Sequence, residues 1–176
     1  MNENKRMILG YLAGGFLVMV LVPSMIYAIT SLLDSFYTIE IIQNETIRWT
    51  VTIILLGTGF IYGIWSIIIQ NIVGKGGPLE IGNIAISPKT KNLVVSGPYK
   101  YTRNPMLFGT LLMYLGLALY INSINALVLV SALFTFMLAV VVKMEEKRLV
   151  NDFGSQYEEY QKQVSMFIPW FPRHNE

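Results

Sequence analysis

Nine consecutive residues, Gly97 to Pro105 in the order GPYKYTRNP, place two tyrosines, an arginine and an asparagine between two prolines. Further along, Glu145 and Glu146 stand side by side. A guanidinium forks onto a carboxylate, and carboxylates accept hydrogen bonds from hydroxyl or amino groups. Together these groups have the chemistry to hold a polar ligand. With no cysteine in the chain, thiolate nucleophiles and cysteine-bound metals are excluded, and the sole histidine is His174, close to the C-terminus. Each proline disfavours helix at the residue before it, so Gly97 and Asn104 are expected to be extended, and Pro105 suits the first turn of a helix. Tyr101 and Lys100 taken alone read as membrane-interface anchors. The string as a whole, stiffened by its prolines, reads as a ligand site.

The elements that must carry these residues are apolar. Of 176 residues, 53% are hydrophobic and 14% charged, which fits a bilayer protein better than a soluble domain of this size. The net charge of +2 and the absence of a basic run exclude a nucleic-acid partner. Between Arg6 and Asp34 lie 27 uncharged residues, and between Arg48 and Lys75 lie 26, each enough for one helix across roughly 30 Å of hydrocarbon. The apolar stretch of the first, Met7 to Ile29, is too long for a signal-peptide core and is kept as a span. The 39 uncharged residues between Arg103 and Lys143 are interrupted by the polar YINSIN, Tyr120 to Asn125. They read as a hairpin of two short helices, each about 17 residues long.

Four spans alternate the sides of the chain. Every lysine and arginine except Arg48 then falls with the N-terminus, the 74–105 segment and the C-terminal tail, and the positive-inside rule puts that side in the cytoplasm. Asp34, Glu40 and Glu45 lie on the other side. No charged residue sits at mid-span, which argues against an ion-coupled carrier. Thr52, Thr58, Ser66 and Gln70 inside the spans are read as hydrogen-bonding between helices.

The 74–105 segment opens on GKGGPLE, which lacks the glycine spacing of a phosphate loop and reads as a membrane-exit turn. Leu93, Val94 and Val95 are expected as extended backbone against the helix ends. After the fourth span, Leu149, Phe153, Tyr157, Tyr160 and Val164 recur at helical spacing and predict an amphipathic segment, bent or broken at Gly154. Glu145 and Glu146, where the fourth span leaves the membrane, are placed near a helix C-terminus against its dipole, and so are not there for local stability. The fold class expected is an all-α integral membrane protein. It has about four transmembrane helices, the last two a hairpin, plus a C-terminal amphipathic segment on the cytoplasmic side. It forms a single domain, 1–176, with two N-terminal spans over 1–73 and a ligand-binding core over 74–176.

The ordered strings LVVSGPYKYTRNPM, a two-helix hairpin, EEKRLVNDFGSQYEEYQKQV and FIPW resemble the isoprenylcysteine carboxyl methyltransferase and phospholipid N-methyltransferase superfamily of integral membrane enzymes, over roughly residues 74–170. The resemblance implies an S-adenosylmethionine pocket on the cytoplasmic side, covered by the C-terminal segment. It implies that Lys91, Asn92, Leu93 and Val94 run along the cofactor and that Tyr99 contacts it. Asn104, Pro105, Met106 and Leu107 match a His-Pro-x-Tyr cofactor string, and Glu145 matches the family's cofactor-binding glutamate. Asn104 replaces the histidine and Leu107 the tyrosine. Val141 stands where the isoprenylcysteine enzymes carry a substrate-binding arginine. Arg103 is assigned to orienting Glu145 or pairing with the cofactor's carboxylate, and Glu146 to accepting a proton. The acceptor is a hydrophobic, lipid-like or prenylated molecule bearing a carboxylate, thiol or amine, entering from the membrane lipids between spans three and four. A nicotinamide-dependent reductase relative and a non-catalytic transporter or assembly protein are the alternatives.

Overall fold

In a computed structural model, residues 2–77, 80–81, 84–85 and 87–171 are described. Pro78 and Leu79 of the GKGGPLE turn, and His174, lie outside them. Helix α1 runs Glu3–Asp34, α2 Glu45–Gly74, α3 Pro105–Ile121, α4 Ile124–Phe153 and α5 Ser155–Gln163. A two-residue ladder, β1 Glu80–Ile81 against β2 Ile84–Ala85, is antiparallel. Helices α1, α2 and α4 are long and apolar enough to cross a membrane, while α3 is a shorter apolar helix of 17 residues.

The hairpin forms where the sequence places it. Asn122 adopts the left-handed conformation that ends α3 (φ 59°), and the hydroxyl oxygen of Ser123 caps α4 by accepting from Asn125 N at 3.1 Å. The fourth helix is not short, however. Nothing in KMEEKRLVND breaks a helix, so α4 continues for 30 residues until Gly154, whose φ of +54° suits glycine alone. The break expected at Gly154 is therefore present. Glu145 and Glu146 lie inside α4, not at its C-terminus, so the helix dipole does not act against them as expected.

Helices α2 and α3 cross at very close range. A Cβ on Gly59 would meet the Gly109 carbonyl oxygen at 2.6 Å, and one on Gly109 would meet Gly63 N at 2.8 Å, so only glycines allow the backbones to approach this far. Helices α3 and α4 close on a core of Tyr114, Ala118, Ala126, Val130 and Phe134, with Ile26 of α1 added. The Tyr114 and Phe134 rings meet edge to face at 6.0 Å.

The helix ends sort into two groups. At one end Ser123 Oγ donates to Asp34 Oδ1 at 2.6 Å, Asn125 Nδ2 donates to the same oxygen at 2.8 Å, and the Asn122 side chain accepts from Ile41 N and Ile42 N. At the other end Lys91 Nζ pairs with Glu3 at 3.2 Å, and the backbone N–H groups of Lys91 and Asn92 close onto the Gly74 carbonyl. Of the polar span residues, Gln70 bonds outside its helix as expected, to Tyr99, but Thr58 and Ser66 do not. Thr58 Oγ1 donates to Ile54 O and Ser66 Oγ to Tyr62 O, each within its own helix, because a carbonyl one turn back is always within reach.

Candidate active site

The proline-bracketed string is a compact turn. Gly97 to Lys100 form a 3-10 turn, and Gly97 takes φ +61° instead of the extended conformation expected; a Cβ there would also meet Ile69 Cγ1 at 2.8 Å. Asn104 is non-helical but not extended as expected (φ −123°, ψ 57°), and Pro105 begins α3.

The chain's last described segment is strapped across this turn. Arg103 N donates to Ser165 O at 2.9 Å, Asn104 Nδ2 to Met166 O at 2.8 Å, Arg103 Nη1 to Gln161 O at 2.8 Å and Trp170 N to Tyr101 O at 2.9 Å. Tyr160 adds a hydroxyl donated to Tyr99 O at 2.6 Å. The apolar stripe read from the sequence faces this contact: Tyr157, Tyr160 and Val164 are buried together against Leu93, Leu149, Val150 and Phe153. The amphipathic segment folds back over the mouth of the helices.

Beneath the strap lies a cavity of about 500 Å³. Leu93, Val94, Tyr99, Arg103, Asn104, Pro105, Met106, Leu107 and Glu145, nine of the residues singled out from the sequence, line it. Three do not. Lys91 reaches out to Glu3, Asn92 donates to Val73 O at 2.9 Å, and Glu146 lines a separate surface pocket with Lys143 and Lys147. Helical geometry separates adjacent Glu145 and Glu146 by about 100°, so one carboxylate faces the cavity and its neighbour faces away. Val141 is also on the cavity wall.

Its polar end is charge-balanced. Arg103 Nη2 lies 2.7 Å from Glu146 Oε1, with the side chains only 9% and 16% exposed. Arg148, itself buried, pairs with Glu145 and with Asp152 at 3.0 Å. Each guanidinium is thus held by a carboxylate at a site where an unpaired charge would be costly. Burial pushes the Tyr99, Tyr157 and Tyr160 hydroxyls well above their ordinary range, so all three stay neutral hydrogen-bond donors.

Sequence reasoning named two further groups without placing them in the site. Gln70 accepts from the Tyr99 hydroxyl at 3.2 Å and lines the cavity, and Tyr157 lines it from α5. The signal for Tyr157 was the aromatic stripe, read only as packing. A second feature left no sequence trace. Each of the three long helices contains one π-helical turn, Leu17–Leu21, Gln70–Gly74 and Met137–Val142, and each contributes side chains to the cavity. Such a turn adds one residue, rotates the later part of its helix, and often occurs at a functional site.

Between spans three and four, where the acceptor was expected to enter, Tyr114 and Phe134 pack together and line the cavity. The cavity extends to α1 and α2, through Leu17, Met19, Phe60 and Ile64 among others.

Apolar helices long enough to span a membrane, with a cavity lined by the motif string, are the arrangement that the resemblance to membrane methyltransferases implies. The family model described as phospholipid methyltransferase matches residues 47–156, well over half of the chain, and the chain belongs to that family. It is 31% identical over 90 residues to methanethiol S-methyltransferase 1 of Bradyrhizobium diazoefficiens, a match covering 51% of this chain and 30% of that relative. It is 32% identical over 95 residues to protein-S-isoprenylcysteine O-methyltransferase of Schizosaccharomyces pombe, covering 53% and 40% respectively. The matches therefore span less than half the length of both relatives. No solved structure matches the chain significantly. The matches, all to methyltransferases, give no support to the reductase or transporter alternatives.

Proposed function

We propose that the chain transfers a methyl group from S-adenosylmethionine to the polar head of a hydrophobic acceptor, at the cytoplasmic face of a membrane that it crosses several times. The observation that carries this reading is the single cavity in which Tyr99, Asn104 and Glu145 meet an apolar interior running into the spans. The residues present fit the cofactor. About 500 Å³ lies within the ordinary range for small-molecule sites, roughly 300–1,000 Å³. Its rim offers a carboxylate, a guanidinium, an amide and neutral phenols beside apolar walls, matching a ligand with hydroxyl, amino, carboxylate and aromatic parts.

S-adenosylmethionine supplies, when bound, a methyl group on a positively charged sulfur that leaves as a neutral thioether. The acceptor's oxygen, nitrogen or sulfur would take that methyl group, and any proton the acceptor carries would leave to solvent at the rim. The protein's task is then to hold two molecules in line and exclude water. Glu145, fixed by Arg148, accepts hydrogen bonds from the cofactor. Arg103, fixed by Glu146 and by Gln161 O, faces an anionic group, and Tyr99, fixed by Gln70 and Tyr160, closes the side. Glu146 holds Arg103 in this scheme instead of taking a proton. The strap over residues 99–104 keeps water from the reacting end.

Purified chain in detergent, incubated with donor labelled on its methyl group and a total membrane lipid extract, is expected to yield labelled, organic-extractable product. Its mass identifies the acceptor. Absence of labelled product with every lipid fraction, from protein shown to bind the donor, would remove the hydrophobic acceptor from the reading.

A further inference from the structure

We infer that the cavity opens sideways into the bilayer between α1 and α2, and that Gly15 and Gly63 hold this opening wide enough for a hydrocarbon chain, setting which acceptors enter. The inference rests on the methyl-transfer reading for the acceptor's identity, yet its geometry stands apart from the chemistry at the polar end.

The inner arm of the cavity is apolar. Met113, Leu133, Phe134 and Met137 line it, and the hydroxyls of Thr110 and Tyr114 on the same walls are already donated to Met106 O and Val18 O, each at 2.9 Å. From Glu145 back to Leu133 along α4 is about 18 Å at 1.5 Å per residue, which carries the arm from the polar end deep into the spans. At that depth an apolar chain satisfies the walls and a polar one does not.

Two other sides are packed. Ala118, Ala126 and Val130 between α3 and α4 have no exposure, and the Gly59–Gly109 crossing joins α2 to α3 at van der Waals range. The side bordered by α1 and α2 differs: its lining residues Leu17, Met19, Phe60 and Ile64 are 38–48% exposed.

Gly15 of α1 and Gly63 of α2 both line the cavity. Glycine inside a helix costs about 1 kcal/mol relative to alanine. At Gly59 and Gly109 close packing accounts for it, but a Cβ on Gly15 or Gly63 would meet nothing within 4 Å. What these two glycines supply is empty space beside the opening. Gly57 is equally open but lies off the cavity, which makes it a control.

The test uses the full chain in phosphatidylethanolamine–phosphatidylglycerol vesicles doped with a phospholipid whose acyl chain carries a diazirine, with labelled residues mapped after irradiation. Wild type is expected to be labelled inside the arm, at Met113 or Phe134, as well as on outward Ile53 and Ile61. Gly15→Leu and Gly63→Leu are expected to lower the interior labelling at least five-fold and to leave the outward labelling unchanged, while Gly57→Leu changes neither. Should the leucine variants fail to fold, Gly15→Ala and Gly63→Ala, which favour helix, are expected to give a partial drop. An unlabelled interior in wild type, or full interior labelling in the folded variants, overturns the inference. Donor titration of the same samples separates the two claims: interior labelling without donor binding defeats the methyl-transfer reading alone, and donor binding without interior labelling defeats the opening alone.

Discussion

Arg103 carries much of the site's geometry, because its guanidinium is fixed on one side by Glu146 and on another by Gln161 O while it lines the cavity. Glu146→Gln removes the counter-charge of a nearly buried cation and is expected to cost roughly 3 kcal/mol of stability. A wild-type melting temperature in detergent would contradict this. The buried phenols give a pH prediction. Burial raises the folded pKa of Tyr99, Tyr157 and Tyr160 above the unfolded value near 10.0, so the fold binds protons that the unfolded chain releases. Their contribution is intact below about pH 10 and is lost as the pH rises beyond it; thermal melts are expected to be flat in this respect from pH 7 to 9 and to fall above 10. At this scale the sequence was legible where a residue type stood in an ordered string, as with Tyr99, Asn104 and Glu145. It read Gln70 only as a polar side chain bonding between helices, whereas Gln70 opens a π-helical turn, lines the cavity and accepts from the Tyr99 hydroxyl.

The elements were legible from charge and punctuation. Two uncharged runs gave the long helices α1 and α2, YINSIN gave the hairpin, and Gly154 gave the α4–α5 break. The length of α4 was misread, since the first charges after Val142 were taken as the end of a span and of a helix together. A helix leaving a membrane need not stop there, and this extension is what carries Glu145, Glu146 and Arg148 to the strap. The α2–α3 crossing depends on sub-van-der-Waals room that only glycine leaves. Gly109→Val is expected to push the helices apart at a cost of about 1–3 kcal/mol, measured by thermal unfolding in detergent. Pairwise proximity of this kind is invisible to single-chain periodicity, because it depends on which two faces meet.

For the whole molecule, the positive-inside rule predicts which face meets the cytoplasm. The chain has no cysteine, so single replacements report without background. Glu40→Cys is expected to react with a membrane-impermeant maleimide on intact cells, and Lys147→Cys only after permeabilisation; the opposite pattern would invert the orientation and move the site to the outer face. The sequence made the alternation of the spans readable but not where their walls part, since that depends on α1 packing against α4 in preference to α2.

The proposed chemistry depends above all on the polar end of the cavity holding S-adenosylmethionine through Glu145. Calorimetric titration of detergent-purified protein measures this binding, with Glu145→Gln, which keeps a polar partner for Arg148, as the comparison. Saturable binding at one donor per chain is expected, weakened about ten-fold or more by the substitution, equivalent to about 1.4 kcal/mol for a lost charge-assisted hydrogen bond. No binding by the wild type, or equal affinity in the variant, would show that Glu145 does not hold the donor there.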